Sequence, residues 1–198
     1  MTARIIYFLF ISFLFFYNSC SKQPVNIDKN LTKKINLYYK KNDDRPYSGP
    51  IFSNYSNGSI KDEGHLENGK RHGTFIFWYE DGNMEKTGNY KNGQLSGTWT
   101  YWNKSGIKYL VETYLNGEKN GPFIEWYPKG QKHTEQFWKK DKKDGIFTEW
   151  YQSGGKKQEG YLDDSNYKQG SWNYWDEKGR KYLQENYYDN EKHGSLIG

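Results

Sequence analysis

The chain repeats itself with a period of 24 residues, and this period constrains the fold more than any other feature of the sequence. The opening glycines of the copies are Gly49, Gly73, Gly97, Gly121, Gly145, Gly170 and Gly194, at spacings of 24, 24, 24, 24, 25 and 24 residues. Self-similarity at a fixed period of about 20–50 residues is typical of stacked supersecondary units. The sequence therefore predicts a repeat domain over residues 49–198, with six repeats and a partial seventh that begins at Gly194.

Four positions within the repeat are nearly constant when each opening glycine is numbered as position 0. Position 2 is apolar, position 5 is tryptophan in five of the six repeats, position 9 is glycine, and position 17 is a large apolar residue. From the second repeat onward these residues are Phe75, Trp78, Gly82 and Tyr90; Trp99, Trp102, Gly106 and Tyr114; Phe123, Trp126, Gly130 and Trp138; Phe147, Trp150, Gly154 and Leu162; and Trp172, Trp175, Gly179 and Tyr187. The first repeat has Ile51, Asn54, Gly58 and Leu66 there. We interpret these positions as repeat-defining structural residues.

Each repeat has the composition of a β-hairpin. Positions 1 to 6 are rich in aromatic and β-branched residues, which favour a half-buried strand. The constant glycine at position 9 supplies the positive φ that a tight hairpin turn requires. Positions 11 to 18 form a return strand, and Asn-Gly at residues 68–69, 92–93 and 116–117 then predicts a second tight turn. The fold class is therefore all-β, an elongated single-sheet meander of six stacked hairpins.

The aromatic residues at positions 2 and 5 are separated by an odd number of residues. In a regular strand they would lie on opposite faces of the sheet. Either both faces carry aromatic residues, or a bulge near position 3 brings them to one face. In both cases the aromatics of successive repeats form ladders, and we interpret the ladders as core packing rather than as a ligand site.

The first 36 residues differ from the repeats in composition. Residues 1–19 carry Arg4 before an apolar run at residues 5–17, which predicts a signal peptide that is too short for a spanning helix. The sequence YNSC at residues 17–20 resembles a bacterial lipobox, which implies that Cys20, the only cysteine, is lipidated. An ordinary signal peptide and an uncleaved anchor are the alternatives. Residues 20–36 are then expected to form the lipidated cysteine and a flexible tether.

The two ends of the repeat array are predicted to be atypical, as terminal repeats usually are. Residues 37–48 resemble the second half of a repeat, and we interpret them as an N-terminal capping half-repeat. The repeat from Gly145 has one extra residue, which falls in residues 163–169. Residues 194–198 begin a further copy, which either covers the last sheet edge or reflects a shortened reading frame.

Composition and charge restrict the kind of partner. The chain is 34% hydrophobic and 19% aromatic, so burial must come mainly from Tyr, Trp and Phe. Without residues 1–19 there are 28 basic and 24 acidic residues, a net charge of +4. The densest basic patch is Lys139, Lys140, Lys142 and Lys143, which we interpret as a solvated loop with at most weak attraction to anionic lipid. We expect no nucleic-acid partner, because an exported chain would rarely meet one.

The sequence does not have the side chains of a catalytic or metal site at suitable spacings. Its histidines are His65, His72, His133 and His193, and the two that share a position in the repeat, His72 and His193, are five repeats apart. Glu125 and Glu149 share position 4 in neighbouring hairpins, about 10 Å apart, a separation that resembles that of an inverting glycosidase. Other repeats have Ser, Phe or Tyr at that position. We therefore expect no enzyme, no cofactor and no metal.

The repeat pattern resembles the MORN-repeat family, and in particular the bacterial variant found in proteins described as antitoxin components. Trp99, Trp102, Gly106, Tyr114 and the Asn-Gly pair at residues 116–117 carry the resemblance most clearly. It covers about residues 37–198. The resemblance implies a β-hairpin meander used for protein or membrane-surface contacts, since the repeat is a scaffold and does not define one activity.

Three functional hypotheses follow. The first is a lipid-anchored scaffold in the bacterial cell envelope that binds a protein partner, with the outer membrane favoured if the source has two membranes. The second is an antitoxin or immunity-type protein that neutralises a toxin. The third is a glycan-binding surface on which exposed Trp and Tyr side chains stack against sugars, and it requires exposed tryptophans at position 5.

Overall fold

The structure is a computed structural model, and it describes residues 22–193. The predicted signal peptide at residues 1–19, the predicted lipidation site Cys20 and the partial repeat at residues 194–198 lie outside the described residues. The elements are β1 Val25–Asn26, α1 Ile27–Asn30, β2 Leu31–Lys34, β3 Leu37–Lys40, β4 Gly49–Asn54, β5 Ile60–Glu67, β6 Lys70–Trp78, β7 Met84–Lys91, β8 Gln94–Trp102, β9 Lys108–Leu115, β10 Glu118–Lys119, β11 Gly121–Trp126, β12 Lys132–Lys139, β13 Lys142–Trp150, β14 Lys156–Leu162, β15 Lys168–Trp175, β16 Lys181–Tyr188 and β17 Glu191–Lys192.

The fold is one long meandering β-sheet, as the 24-residue period predicts. Of residues 22–193, 63% lie in strands and 2% in a helix, which places the fold in the all-β class. From β4 to β17 each strand pairs antiparallel with the next strand along the sheet, with the short β10 pairing only with β9. The strand β1 pairs in parallel with β4 at the N-terminal edge, and β2 and β3 form a separate two-stranded sheet. The all-β single-sheet meander of hairpin repeats is therefore confirmed.

Two kinds of tight turn alternate along the meander. The glycine at position 9 has a positive φ in every repeat, for example 87° at Gly82 and 74° at Gly106. At the other end of the hairpins both residues of the Asn-Gly pairs have positive φ, with 53° at Asn92 and 86° at Gly93. Positive φ at both central residues defines a type I′ turn, whose twist matches that of paired strands.

In β6, β8, β13 and β15 the opening glycine lies inside the strand, although the sequence suggested that it begins one, whereas β4 and β11 do begin at Gly49 and Gly121. The strand β6 starts at Lys70 and passes through Gly73, where φ is 76° and the pairing with β5 shifts in register. Gly97 and Gly170 have φ of 66° and 63° at equivalent shifts. A non-glycine residue would be strained at such a bulge, which explains why this position is constant.

Both faces of the sheet carry aromatic residues, which resolves the alternatives left open by the sequence. From position 0 to position 5 the side chains alternate between the two faces in the pairing with the return strand. The register shift in the β6–β7 hairpin adds its extra residue to the return strand, between Lys86 and Met84. Phe75 and Phe77 therefore share one face, the core face, and Trp78 lies on the opposite face, the open face. The register shift of β6 against β5, between His72 and Ile76, adds two residues and so does not bring positions 2 and 5 to one face.

The segment before the first repeat packs against the sheet, so the prediction of a flexible tether is wrong for residues 22–36. Val25 and Asn26 pair with Ile51 and Phe52, and Ile27 and Leu31 are buried in a cluster with Ile51. Within residues 37–48, the stretch Leu37–Lys40 pairs with Leu31–Lys34 and does not join the long sheet. Within residues 37–48, only Tyr47 is placed like a residue of a preceding repeat. Its carbonyl accepts a hydrogen bond from the Gly69 N–H, just as the Arg71 carbonyl accepts one from the Gly93 N–H in the next repeat.

The core face is built from position-2 side chains that lie on glycines of the preceding repeat. Phe75, Trp99 and Trp172 are at most 1% exposed. A Cβ atom added to Gly64, Gly88 or Gly160 would lie 2.2–2.6 Å from these three rings. Tyr90 lies between Phe75 and Trp99 in edge-to-face contact, with ring centroids 5.0 and 5.1 Å away. Position 15 therefore sets the depth at which the next repeat can pack.

We expect Gly88→Ala to lower the free energy of unfolding by about 1–3 kcal/mol, the usual effect of overpacking a core. The added methyl group would contact the Trp99 ring, which Phe77, Tyr90 and the backbone of Gly88 already confine. Urea unfolding followed by circular dichroism measures the change.

Gly155→Ala is the matched control for that substitution. Gly155 does not have a positive φ, and the nearest atom to an added Cβ is the Glu177 carbonyl oxygen at 3.9 Å. We expect its effect to be within about 0.5 kcal/mol of zero. Equal losses for the two variants would contradict packing of Trp99 on Gly88.

Candidate functional site

The repeat-defining residues separate into turn, core and open-face positions. The glycines Gly82, Gly106, Gly130, Gly154 and Gly179 form the hairpin turns. Side chains at positions 2 and 17 lie on the core face, and the tryptophans at position 5 lie on the open face. Phe123, Phe147 and Trp138, in the central repeats, are only partly buried, whereas Phe75, Trp99 and Trp172 are fully buried. The centre of the array therefore differs from the rest.

The central repeats carry polar side chains on the core face at position 15. Glu112 and Gln136 replace the glycine found there in three other repeats, and they are 6% and 3% exposed. The Lys119 Nζ atom lies 2.6 Å from Glu112 Oε1, and Tyr114 donates a hydrogen bond of 2.7 Å to Glu112 Oε2. Sequence analysis missed these residues. The signal that identifies them is the pairing of a polar residue at position 15 with a lysine seven residues later, in Glu112 and Lys119, Gln136 and Lys143, and Glu185 and Lys192.

The protonation states of this cluster follow from burial and hydrogen bonding. Burial raises the pKa of Glu112, but hydrogen bonds from Lys119, Tyr114 and Tyr101 lower it by more, so the net pKa lies below its usual value. Burial, together with the adjacent carboxylate, raises the pKa of both tyrosines. Glu112 is therefore ionised at neutral pH while both phenols keep their protons, an arrangement that stabilises a buried ion pair.

The tryptophans at position 5 form a ladder on the open face, interleaved with lysines at position 11. Lys108 Nζ lies 4.0 Å from the ring centroid of Trp126, and Lys132 and Lys156 lie 5.0 and 5.2 Å from the rings of Trp150 and Trp175. Such distances are typical of cation–π contacts. The rings Trp78, Trp102, Trp126, Trp150 and Trp175 are all partly buried. At Trp126, Trp150 and Trp175 the lysines occupy ring surface that a sugar would need for stacking.

A row of tyrosines at position 6 ties successive hairpins together. The hydroxyl groups of Tyr55 and Tyr79 donate to the carbonyl oxygens of Trp78 and Trp102, at 2.7 and 2.9 Å. Tyr127 and Tyr151 make the same bond to the tryptophan of the next repeat. These hydrogen bonds account for the phenols at this position, which sequence analysis did not single out.

Glu125 and Glu149 make separate structural contacts. Thr134 pairs with both residues from the strand between them and donates a hydrogen bond of 2.6 Å to Glu125. Glu149 accepts hydrogen bonds from Lys157 and Gln158, at 2.9 and 2.5 Å. Burial raises the pKa of Glu149, but these donors lower it by more, so the net pKa is lowered. A general acid needs a raised pKa, so this carboxylate does not suit that role.

The histidines lie apart from one another except for one cross-strand pair. His65 pairs with His72, and His72 Nδ1 lies 2.9 Å from Glu67 Oε2. His133 packs on Tyr127 with ring centroids 4.2 Å apart. Within residues 22–193 no group of three or more His, Cys, Asp or Glu side chains is placed to hold a metal ion. In the same part of the chain, no helix is long and apolar enough to cross a membrane.

Positions 1 and 16, which pair with each other and differ between repeats, form one row across the open face. The pairs are Pro50 with His65, Thr74 with Asn89, Thr98 with Thr113, Pro122 with Phe137, Ile146 with Tyr161, and Ser171 with Asn186. The constant positions are used internally, while this row changes in chemistry from repeat to repeat. We therefore take this row, the variable row, as the candidate functional site.

Comparison with known proteins gives no further assignment. A scan against protein-family models found no matching family, and a search of curated proteins found no similar sequence.

Proposed function

We propose that this chain is a non-catalytic, lipid-anchored repeat scaffold of the bacterial cell envelope, and that it binds a protein partner through the variable row of its open face. The observation that carries the proposal is the division between constant and variable positions. Residues that recur in every repeat fill the core, the turns and the contacts between hairpins. The residues of the variable row, which differ between repeats, are displayed side by side on one face, as expected for a recognition surface on a regular scaffold.

Two features of the sequence support the cellular setting and the type of repeat. The lipobox-like sequence at residues 17–20 supports lipidation at Cys20, which would attach the sheet to a membrane through the N-terminal cap. The spacing of Trp99, Trp102 and Gly106 supports a relationship to bacterial MORN repeats. A scaffold role is consistent with both, because the repeat supplies a surface and the lipid supplies a location.

Replacing Cys20 by serine is expected to move the protein from the membrane fraction to the soluble fraction. A single lipid chain gives only marginal anchoring, but a lipidated cysteine with several chains holds a protein firmly to the bilayer. Immunoblotting of fractionated cells that express the full chain measures the distribution. Ser21→Ala, which keeps the cysteine, is the control and should remain with membranes.

The same two preparations test for a partner in the envelope. Chemical crosslinking in intact cells, followed by purification, should recover one specific protein with the wild-type chain and not with Cys20→Ser. Equal membrane association of the two forms would contradict lipid anchoring. A partner recovered equally with both forms would place binding outside the membrane and would favour the antitoxin hypothesis.

A further inference from the structure

The positive charge of the chain is concentrated in the segment before the first repeat, residues 22–47. This segment contains seven basic and three acidic residues, whereas residues 48–198 contain 21 of each, so the repeats together carry no net charge. All seven basic residues of the segment are exposed. A local excess of one charge sign attracts ligands of the other sign. Residues 22–47 are therefore the part of the chain best suited to an anionic ligand.

Three of these basic residues line one cavity, the lysine cavity. Lys22 precedes β1, Lys40 ends β3, and Lys41 follows it directly. Gln23 and Asn30 add two amide side chains, and no acidic residue of the described part of the chain lines the cavity. Its volume is about 640 Å³, which is within the usual range for a ligand site. The cavity therefore offers several hydrogen-bond donors and an uncompensated positive charge.

A buried tyrosine holds two of the lysines at the cavity. Lys22 Nζ and Lys40 Nζ lie 5.9 and 5.7 Å from the ring centroid of Tyr47, which is 5% exposed. Lys22 Nζ also donates a hydrogen bond of 2.8 Å to the Ser48 carbonyl oxygen. The Tyr47 hydroxyl in turn donates to the Pro50 carbonyl oxygen at 3.2 Å. Two ammonium groups beside one ring repel each other, and an anion bound to both relieves that repulsion.

The carboxylates nearest in sequence are paired with other cations. Asp43 lies 3.3 Å from Arg45, and Asp44 lies 3.7 Å from Lys34. Both aspartates line a separate, smaller depression that adjoins the lysine cavity. Within residues 22–193, no ion pair includes a lysine of the cavity. The charge of the cavity is therefore not neutralised by the chain itself.

We propose that the lysine cavity binds a phosphate group. Lysine is a common phosphate ligand, and a phosphate presents several strong acceptor oxygens to the three ammonium and two amide groups. A carboxylate has only two oxygens and would use fewer of these donors. The inference goes beyond the proposed function, because the cavity lies outside the variable row and its charge does not depend on lipidation of Cys20.

Two sources supply such a phosphate, an anionic lipid headgroup and a soluble phosphate ester. Lys22 follows the predicted lipidation site Cys20 by two residues, which favours a headgroup of the surrounding membrane. An anionic headgroup such as that of phosphatidylglycerol should bind better than a zwitterionic one, because the choline of phosphatidylcholine would bring a further cation to the lysines.

The first test is calorimetric titration of the full chain in micelles of a neutral detergent. Inorganic phosphate should bind, and acetate at the same ionic strength should not. Lys40→Gln combined with Lys41→Gln removes two of the three cations and should raise the Kd for phosphate at least about tenfold. The matched control is Lys139→Gln combined with Lys140→Gln, which removes two exposed lysines far along the chain and should leave the Kd unchanged.

A single substitution guards against an indirect effect on the fold. Lys41→Gln alone keeps Lys40 beside the Tyr47 ring and should still weaken phosphate binding. Circular dichroism of each variant verifies that its sheet is intact.

Phosphorus NMR distinguishes the two sources. The micelles then contain equal amounts of phosphatidylglycerol and phosphatidylcholine, and inorganic phosphate is present in solution. A change in the phosphatidylglycerol signal that is lost with the Lys40 and Lys41 double variant identifies an anionic headgroup as the ligand. A change in the inorganic phosphate signal alone, lost with the same variant, identifies a soluble phosphate ester as the ligand of the same cavity.

Two results would overturn the inference. One is a wild-type chain that binds phosphate no better than acetate and leaves the phosphatidylglycerol signal unchanged. The other is an equal loss of binding in the cavity variant and in the control at residues 139–140, which would indicate diffuse attraction to any exposed lysines. Neither result would affect the prediction for Cys20, which concerns membrane fractionation, or the search for a protein partner by crosslinking.

Discussion

Replacing Trp99 with alanine is expected to lower the free energy of unfolding by about 3–5 kcal/mol, the range for loss of a buried aromatic side chain. Trp99 is 1% exposed on the core face. Its ring contacts Phe77, Tyr90 and Tyr101, with centroids 6.0, 5.1 and 6.5 Å away. Its Nε1 atom also donates to the Asn89 carbonyl oxygen at 3.1 Å.

The large effect follows from how the repeats are joined. Stability in a stacked repeat protein comes from contacts between neighbouring units, and no hairpin is stable alone. Trp99 belongs to the third repeat but packs on Gly88 and Tyr90 of the second. Its removal leaves a cavity at the interface between repeats, where the rigid strands cannot close together. The loss is therefore expected to weaken the cooperativity of unfolding as well as its free energy.

Two variants of the same strand provide the controls. Trp102→Ala removes the same side chain type from the open face, where it is only partly buried, and should cost about 1–2 kcal/mol. Trp99→Phe keeps an aromatic ring of the kind that Phe75 has at the same position, and should retain most of the stability. Urea unfolding followed by far-ultraviolet circular dichroism measures all three. A loss at Trp102 equal to that at Trp99 would contradict the assignment of core and open faces.

The repeat architecture was predictable because its signals are local. The positive φ at Gly82 and at the Asn92–Gly93 pair is a property of the turn itself, and the residue types that allow it are visible in the sequence. Treating the opening glycine as a boundary gave the wrong start for β6, β8, β13 and β15, although β4 and β11 do begin there. Gly73 lies at a bulge within β6, and a bulge and a turn call for the same residue type.

The N-terminal segment could not be predicted because its structure depends on a distant contact. Val25 and Asn26 form a strand only by pairing with Ile51 and Phe52, about one repeat length further along the chain. The surrounding residues are polar and without periodicity, as in a tether. Burial of Ile27 and Leu31 is a consequence of that pairing, and no local pattern of the segment indicates it.

The polar core was missed for a different reason. Position 15 is Gly, Gly, Glu, Gln, Gly and Glu in successive repeats, which resembles an unconstrained surface position. The role of position 15 is visible only in the structure, where the position-2 aromatic side chain of the next repeat packs on it. Gly88 allows Trp99 to pack fully, whereas Glu112 precedes a repeat whose Phe123 is only partly buried. The residue at position 15 and the aromatic side chain that packs on it act together, although they are eleven residues apart in sequence for Gly88 and Trp99 and twelve for Gly160 and Trp172.

Replacing Lys119 with methionine is expected to lower the free energy of unfolding by about 3 kcal/mol at neutral pH. Removing one partner of a buried ion pair usually costs about 3–5 kcal/mol, because the remaining charge is left uncompensated. The Glu112 side chain is 8% exposed, but that of Lys119 is 29% exposed, so we expect the lower end of that range. Tyr114 still donates to the carboxylate and limits the loss.

The pH dependence distinguishes this effect from lost packing. In the wild-type protein the pKa of Glu112 is lowered in the folded state, so its contribution to stability is present above the unfolded value of 4.5 and is lost as the pH falls through the folded pKa. Without Lys119, the remaining hydrogen bonds lower the pKa of Glu112 by less, while burial still raises it. The difference between variant and wild type should therefore shrink below about pH 4, where a protonated Glu112 carries no charge to compensate.

Two further variants separate the ion pair from the surrounding core. Lys143→Met removes the lysine at the equivalent position of the next repeat, seven residues after the neutral Gln136, so its loss should be smaller and independent of pH. Glu112→Gln combined with Lys119→Met removes both charges and keeps an acceptor for Tyr114, so most of the stability should return. Urea unfolding at neutral and acidic pH measures each variant. A double variant as unstable as Lys119→Met alone would show that the lysine acts through cation–π contacts with Phe123 and Trp138, whose ring centroids each lie 4.9 Å from its Nζ atom.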